Sequence, residues 1–403
     1  MPTQAEWSAV RAKLAFTCAH EADHLPPLDP QADTLFKYAL FLEKKPGPKD
    51  FNAAARYYRV AAAYGHYKAN HNLQLLVSTG QASSPHAATE TIDLAERLIA
   101  ASIPGGYYDM GHYLELGYGV RQDERNAQIY YRKAADLGSP EGQYYVGDLL
   151  SPKDRAPDIS QQMMECAADQ GYGKAANYLG IDLSTNKLYP EAAKAFQRGV
   201  MAGDTQSALA LQEGFNGPLP TNQLFFLALP RDPERSRRYE LIGKFIDDHD
   251  GLNPKVPDID QIVPLPPAKL PPWDGTFQWQ KEQDAAKPPQ KPDDKLVERL
   301  AREKNLDPAT GLPLAPVKSA KAERVPLGTE VRPGEVCPHD GYWCVRPFDE
   351  RHPEATRRFS KGETMPHLVL NDPRIIPGLD WLLGMRTHKT NREWSLKAYL
   401  DQA

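Results

Sequence analysis

Apolar and polar positions recur along this chain with a helical period, and the same short pattern returns several times. Three apolar runs end almost alike, in Ala61-Ala62-Ala63-Tyr64-Gly65, Ala134-Ala135-Asp136-Leu137-Gly138 and Ala167-Ala168-Asp169-Gln170-Gly171. Met201-Ala202-Gly203 is a weaker fourth member, and Ile103-Pro104-Gly105 fits a further copy. Gly138, Gly171 and Gly203 follow one another at intervals of about 33 residues, a spacing typical of stacked helix-turn-helix units. Each glycine closes one helical run and precedes another, where a residue free to adopt positive φ ends a helix. Every unit therefore reads as two helices.

Positions counted from these glycines repeat as well. Four residues on stand the small side chains Ala69, Gly142, Ala175 and Ser207, and eight on stand Leu73, Val146, Leu179 and Leu211. Seven residues before them stand Tyr58, Tyr131, Met164 and Phe196. Small against large lets helices cross closely, and the large residues suit the groove between successive units. Asp50 and Asp123, each fifteen residues ahead of its glycine, read as helix caps whose carboxylates satisfy free backbone N–H groups.

From about residue 251 the pattern breaks. Pro264-Leu265-Pro266-Pro267, Pro271-Pro272-Trp273 and Lys287-Pro288-Pro289 predict extended chain, with one short helix between Asp293 and Lys304. Ile259, Ile262, Leu265, Trp273, Phe277 and Trp279 make this stretch too apolar for a solvated tether, so it is expected to pack along the helices. From about residue 325 strand-like alternation takes over. Cys337-Pro338-His339-Asp340-Gly341-Tyr342-Trp343-Cys344 carries an Asp-Gly turn signal between two cysteines, which predicts a hairpin. The expected organisation is thus a mainly α solenoid over residues 1–250, a Pro-rich connector over 251–324 and a small β-rich module over 325–403.

Composition narrows the function. With 41% hydrophobic residues in 403, the chain can fill more than one core. A net charge of -5 removes the electrostatic basis for general nucleic-acid binding. No stretch approaches the roughly 20 apolar residues of a membrane-spanning helix, and the run from Leu35 to Leu42 is far too short. The first residues lack the basic start and apolar stretch of a secretory signal. That reads as cytoplasmic unless a leader has been replaced by the initial Met. Of the four cysteines, Cys337 and Cys344 stand on either side of the expected turn and are the disulfide candidates; Cys18 and Cys166 stay open between core thiols and a second bridge.

Catalytic look-alikes are weak. His20-Glu21-Ala22-Asp23-His24 matches the pattern that places two zinc-binding imidazoles on one helical face, but Leu25-Pro26-Pro27 ends any helix at once and no third ligand is recognisable. His66-Tyr67-Lys68 opens the phosphate-binding motif of phospholipase D enzymes, yet Leu73 stands where its Asp is required. No nucleophile elbow, phosphate loop or CxxC pair occurs. No catalytic residue, metal or cofactor is expected.

The stretch from Gly111 to Val120, followed by Asp123, Ala127, Tyr130-Tyr131 and Ala134-Ala135-Asp136-Leu137-Gly138, resembles a Sel1 repeat. The likeness covers roughly residues 33–215 and departs from the pattern at Pro85 and at 151–158. Taken with a Phe16-Thr17-Cys18 helix, the segment from Pro271 to Trp279 and the Trp343-Cys344 module, the arrangement resembles the Sel1-repeat immunity proteins encoded beside type VI secretion phospholipase effectors of the phospholipase D class. That resemblance implies a periplasmic protein, a monomer when free, that neutralises a cognate lipase by occluding its active site. Tyr342, Trp343, Arg357, Arg358 and Trp381 are the candidate partner contacts, as aromatic and arginine anchors. The competing expectations are a Sel1-repeat scaffold that assembles cellular machinery and, more distantly, a zinc peptidase at His20 and His24.

Overall fold

The computed structural model describes residues 14–153, 155–314, 328–345, 356–372, 386–390 and 392–399. They form two compact units, one running from Phe16 to Pro313 and one holding the residues from 328 onward.

The first unit is a chain of helical hairpins: α1 (Pro30–Lys44), α2 (Phe51–Ala63), α3 (Tyr67–Ser78), α4 (Ala87–Ala100), α5 (Pro104–Leu116), α6 (Glu124–Asp136), α7 (Pro140–Leu150), α8 (Pro157–Asp169), α9 (Gly173–Thr185), α10 (Tyr189–Met201), α11 (Thr205–Phe215) and α12 (Pro233–Asp248). Asp50 and Asp123 cap their helices by accepting from the N–H of Ala53 and Asn126, and Asp29, Ser139, Asp204 and Asp232 do the same for α1, α7, α11 and α12. The repeated positions carry the packing. Tyr58, Tyr131, Met164 and Phe196 are buried, as are Leu73, Val146, Leu179 and Leu211. Glycines admit them: a Cβ on Gly111 would stand 2.9 Å from the Tyr131 ring, and one on Gly180 2.5 Å from that of Phe196.

The Pro-rich segment is part of this unit. Val256, Ile259, Ile262, Val263 and Phe277 share one apolar cluster with Leu211, Phe215, Tyr239, Ile242 and Phe245 of α11 and α12. Along it lie α13 (Ile259–Ile262), α14 (Gln278–Ala285) and α15 (Asp294–Glu303). The helix α15 buries Val297, Leu300 and Ala301 in the core of α1, α2 and α3, at the opposite end of the repeats. Arg56 and Arg59 of α2 donate to the carbonyls of Pro308 and Thr310, and Lys44 at the end of α1 donates to that of Gly251. The connector thus runs from the last repeat back to the first. No described helix is long and apolar enough to cross a membrane.

The second unit holds a four-stranded sheet in the order β1-β6-β2-β3, with β1 (Glu330–Val331), β2 (Gly341–Val345), β3 (Thr356–Phe359) and β6 (Trp394–Tyr399), and a separate pair β4 (Leu368–Asp372) and β5 (Arg386–Thr390). Val331, Cys337, Trp343, Val345, Phe359, Met365, Leu368, Trp394 and Leu396 make its core. The expected hairpin between the two cysteines does not form: β2 begins at Gly341 and pairs with β3 and β6, while Cys337 exchanges backbone hydrogen bonds with Gly362 and Glu363.

Two expectations about covalent and local structure are overturned. Cys337 and Cys344 are free buried thiols, and Cys18 is bonded to Cys166 across 148 residues. Cys337 shares the core with Trp343 and Val345, and strand alternation turns Cys344 to the other face of β2, so the pair cannot meet. Phe16, Thr17 and Cys18 are not helical. They belong to an extended strap that runs into a single 3₁₀ turn, Glu21–His24.

Candidate functional site

The strap lies on the repeats. The Ala19 carbonyl accepts from Gln143 Nε2 at 2.9 Å, the Glu21 N–H donates to Gln170 Oε1 at 2.8 Å, and Gln170 in turn donates to the Gly138 carbonyl at 2.9 Å. Gly138 is required twice over. Its φ of +101° suits glycine, and a Cβ there would come within 2.5 Å of the His20 carbonyl carbon. The strap therefore presses directly on the turn that ends α6.

Glu21 looks into a groove of about 1790 Å³ whose wall includes Phe36, Leu40, Tyr67, Lys68, His71, Tyr108, Asp109 and Glu141 from the helices and Gln283, Ala286 and Lys287 from the connector. Successive repeats supply these side chains from α1, α3, α5 and α7, so the lining is spread along the solenoid. Burial, with Glu141 nearby, raises the Glu21 carboxyl to about 7, while an N–H from Gly105 favours its ionised form. His71 Nδ1 stands 3.1 Å from Asp109 Oδ2, and that carboxylate lifts the imidazole to about 9. Asp109 also accepts from Gln74 at 3.2 Å, whose own carbonyl accepts from the Tyr113 hydroxyl at 3.0 Å. Carboxylates, an imidazolium and tyrosine rings thus meet in one hollow, able to hold a cationic or hydrogen-bonding side chain without covalent chemistry.

The catalytic look-alikes resolve into structural roles. His66 caps α3, accepting from the Ala69 N–H at 3.1 Å through Nδ1, with its ring stacked on Phe36 at 4.4 Å and burial lowering its pKa. The zinc-peptidase arrangement at His20 and His24 is absent: His20 precedes the 3₁₀ turn in extended conformation. Even within such a turn, residues four apart point about a third of a turn away from each other. Among the described residues the one group of metal-capable side chains is Cys18, His20 and Cys166, which includes neither Glu21 nor His24.

The expected partner contacts fall in the second unit and divide. Trp343 is fully buried in the core of its sheet and offers nothing to a partner. Tyr342 is half-buried and is the register partner of half-buried Arg358, next to exposed Arg357. Trp381 lies outside the described residues. Glu21, His71, Asp109 and Glu141 converge from four separate segments, so no local pattern in the sequence marks the groove, and Glu21 stands out only within the His20–His24 zinc look-alike.

Comparisons agree with this architecture. The Sel1 repeat family matches residues 34–66, 104–139 and 140–172, and a domain of unknown function, DUF6396, matches 207–314. A search of curated proteins gives no match. Among solved structures the chain is similar to three from Pseudomonas aeruginosa. The protein PA5086 is 29% identical at a TM-score of 0.52, over 62% of this chain and 95% of that one. The immunity protein PA5088 is 26% identical at 0.53, over 62% and 94%. The immunity protein PA5087 is 29% identical at 0.51, over 63% and 95%. The chain carries Sel1 repeats in a mainly helical solenoid with a small C-terminal sheet, and the solved structures it is similar to include two immunity proteins of Pseudomonas aeruginosa.

Proposed function

We propose that this chain is an immunity protein that binds and neutralises a cognate type VI secretion lipase effector of the phospholipase D class in the periplasm, by occluding its active site. The observation that carries the reading is the likeness to PA5087 and PA5088, both described as immunity proteins and matched over nearly their whole length. The effector class and the secretion system follow from the family resemblance of the repeats and the modules around them. A bridge between Cys18 and Cys166 suits an oxidising compartment. The chain acts by binding and carries out no reaction.

The groove is the face for the effector. Its tyrosines, with the Glu21, Asp109 and Glu141 carboxylates, suit a loop that inserts an arginine or lysine, the kind of central anchor on which interface energy concentrates. Tyr342, Arg357 and Arg358 on the second unit add a further contact, since two joined surfaces gain avidity without either being tight alone.

Pull-down from the native bacterium under oxidising conditions, followed by a lipase assay on what is retained, tests the reading. A retained phospholipase silenced at one-to-one stoichiometry supports it. Retention of envelope-assembly proteins alone replaces it with a scaffold role. With a lipase in hand, Glu141→Lys should weaken inhibition at least tenfold, and unchanged inhibition would move the contact away from the groove.

A further inference from the structure

We infer that Cys18, His20 and Cys166 bind a zinc ion in the dithiol form of this protein, as an alternative to the disulfide. The two sulfurs and a ring nitrogen of His20 all lie within 4.8 Å of one another. A tetrahedral zinc ion with Zn–S near 2.3 Å and Zn–N near 2.0 Å holds its ligand atoms about 3.5–3.8 Å apart, so on reduction the bonded sulfurs need only part while the His20 ring already stands within reach. Two thiolates and an imidazole favour Zn²⁺ over Mg²⁺ or Ca²⁺, which take oxygen ligands. A three-ligand set leaves the fourth position to water.

The arrangement does not depend on the S–S bond. Hydrogen bonds hold the strap on either side of His20, at the Ala19 carbonyl and the Glu21 N–H, and both of the glutamines that make them belong to the repeats. Gln170 is itself fixed by the Gly138 carbonyl and by Gln143 Oε1 at 3.0 Å. The Cα atoms of the two cysteines are 5.6 Å apart, so only side-chain rotation is needed for the sulfurs to separate around a metal. Exposure of Cys18 and His20 gives the ion a path in, while Cys166 anchors it from the core.

The chemistry balances. A dithiol reductant delivers two electrons and two protons to the Cys18–Cys166 bond and becomes a disulfide itself, leaving two thiols. Zinc binding then displaces both thiol protons to solvent. A disulfide oxidant reverses the sequence by thiol exchange: it takes up the two electrons and two protons to become a dithiol, the Cys18–Cys166 bond forms again and the ion is released. The strap thereby gains a further tie in both surroundings, from metal where thiols persist and from the disulfide where they do not, beside the hydrogen bonds at Ala19 and Glu21.

The full chain, reduced with a phosphine that is then removed anaerobically, is titrated with Co²⁺ and afterwards with Zn²⁺. One equivalent of cobalt should give thiolate charge-transfer and tetrahedral ligand-field absorption, which zinc abolishes. The signal should persist in the Cys337→Ser/Cys344→Ser variant, vanish in Cys18→Ser, weaken at least tenfold in His20→Ala and be missing from the oxidised protein. His20→Ala leaves the disulfide able to form, so its circular dichroism in the oxidised state separates ligand loss from misfolding. A reduced protein without cobalt absorption, a signal that needs Cys337 or Cys344, or undiminished binding by a folded His20→Ala variant would each overturn the site.

Discussion

Single side chains in this protein do work that their sequence neighbours do not announce. His66 opens what looks like a phosphate-binding motif, yet it is an N-cap, because its imidazole accepts an N–H where Asp does so at other repeats. His71 carries no motif at all, and its partner Asp109 lies 38 positions away. That carboxylate raises the imidazole to about 9 against an ordinary value near 6.5. The favourable pairing is therefore complete below about pH 6.5 and is lost as pH rises through about 9. The nominal shift corresponds to about 3 kcal/mol, but a ring with 47% of its side chain exposed is screened by water, and about 1 kcal/mol is the expectation. NMR titration should find His71 charged at neutral pH, and Asp109→Asn should bring its pKa down below 7. A His71 that titrates near 6.5 with Asp109 in place would remove the ion pair from the site.

At the scale of elements, legibility tracked periodicity. Helix pairs could be read because the turns at Gly65, Gly138, Gly171 and Gly203 place glycine at positive φ and small residues recur at a fixed distance from large ones, a pattern that survives in sequence. Phe196 of α10 illustrates the physics, since its ring occupies the space that the missing side chain of Gly180 in α9 leaves open. Phe196→Ala should cost about 3–5 kcal/mol by opening a cavity. Gly180→Ala should also destabilise, because the added methyl would sit 2.5 Å from the ring. The double variant should then be more stable than the sum of the two, by roughly 1–2 kcal/mol, since the methyl enters the vacated space. Strict additivity in urea unfolding would mean that the two helices do not meet through this pair. The sheet was opaque for the same reason in reverse. A turn signal at Asp340-Gly341 suggests local pairing, but β2 pairs with β3 and also with β6, whose Trp394 lies opposite Val345 and whose Tyr399 lies opposite Gly341, and nothing local specifies that partner. Cysteine pairing failed likewise, because proximity in sequence favoured Cys337 and Cys344 while the fold joins residues 148 apart.

For the helical unit as a whole, the decisive feature is the return of the connector to its starting end. Apolar residues between 256 and 277 dock on the last repeat, and α15 docks on the first, so a segment that proline keeps extended ties the two ends of the solenoid together. Arg59 is the clamp. It is nearly buried, donates to both carboxylate oxygens of Glu90 at 2.7 and 3.1 Å, and reaches the carbonyls of Ser83 and Thr310 at 2.9 and 3.1 Å. Removing it strands a mostly buried carboxylate, for which about 3–5 kcal/mol is expected. The loss should be local in its first expression, because α15 is joined to the repeats through α2 and the carbonyls of Pro308 and Thr310. Hydrogen exchange of Arg59→Ala should therefore show lowered protection in α15 and cleavage by protease between Lys287 and Lys291, with α6 to α9 protected as before. If protection fell evenly across all the repeats, the connector would be an integral layer of one cooperative unit, and the groove it borders would open only on global unfolding.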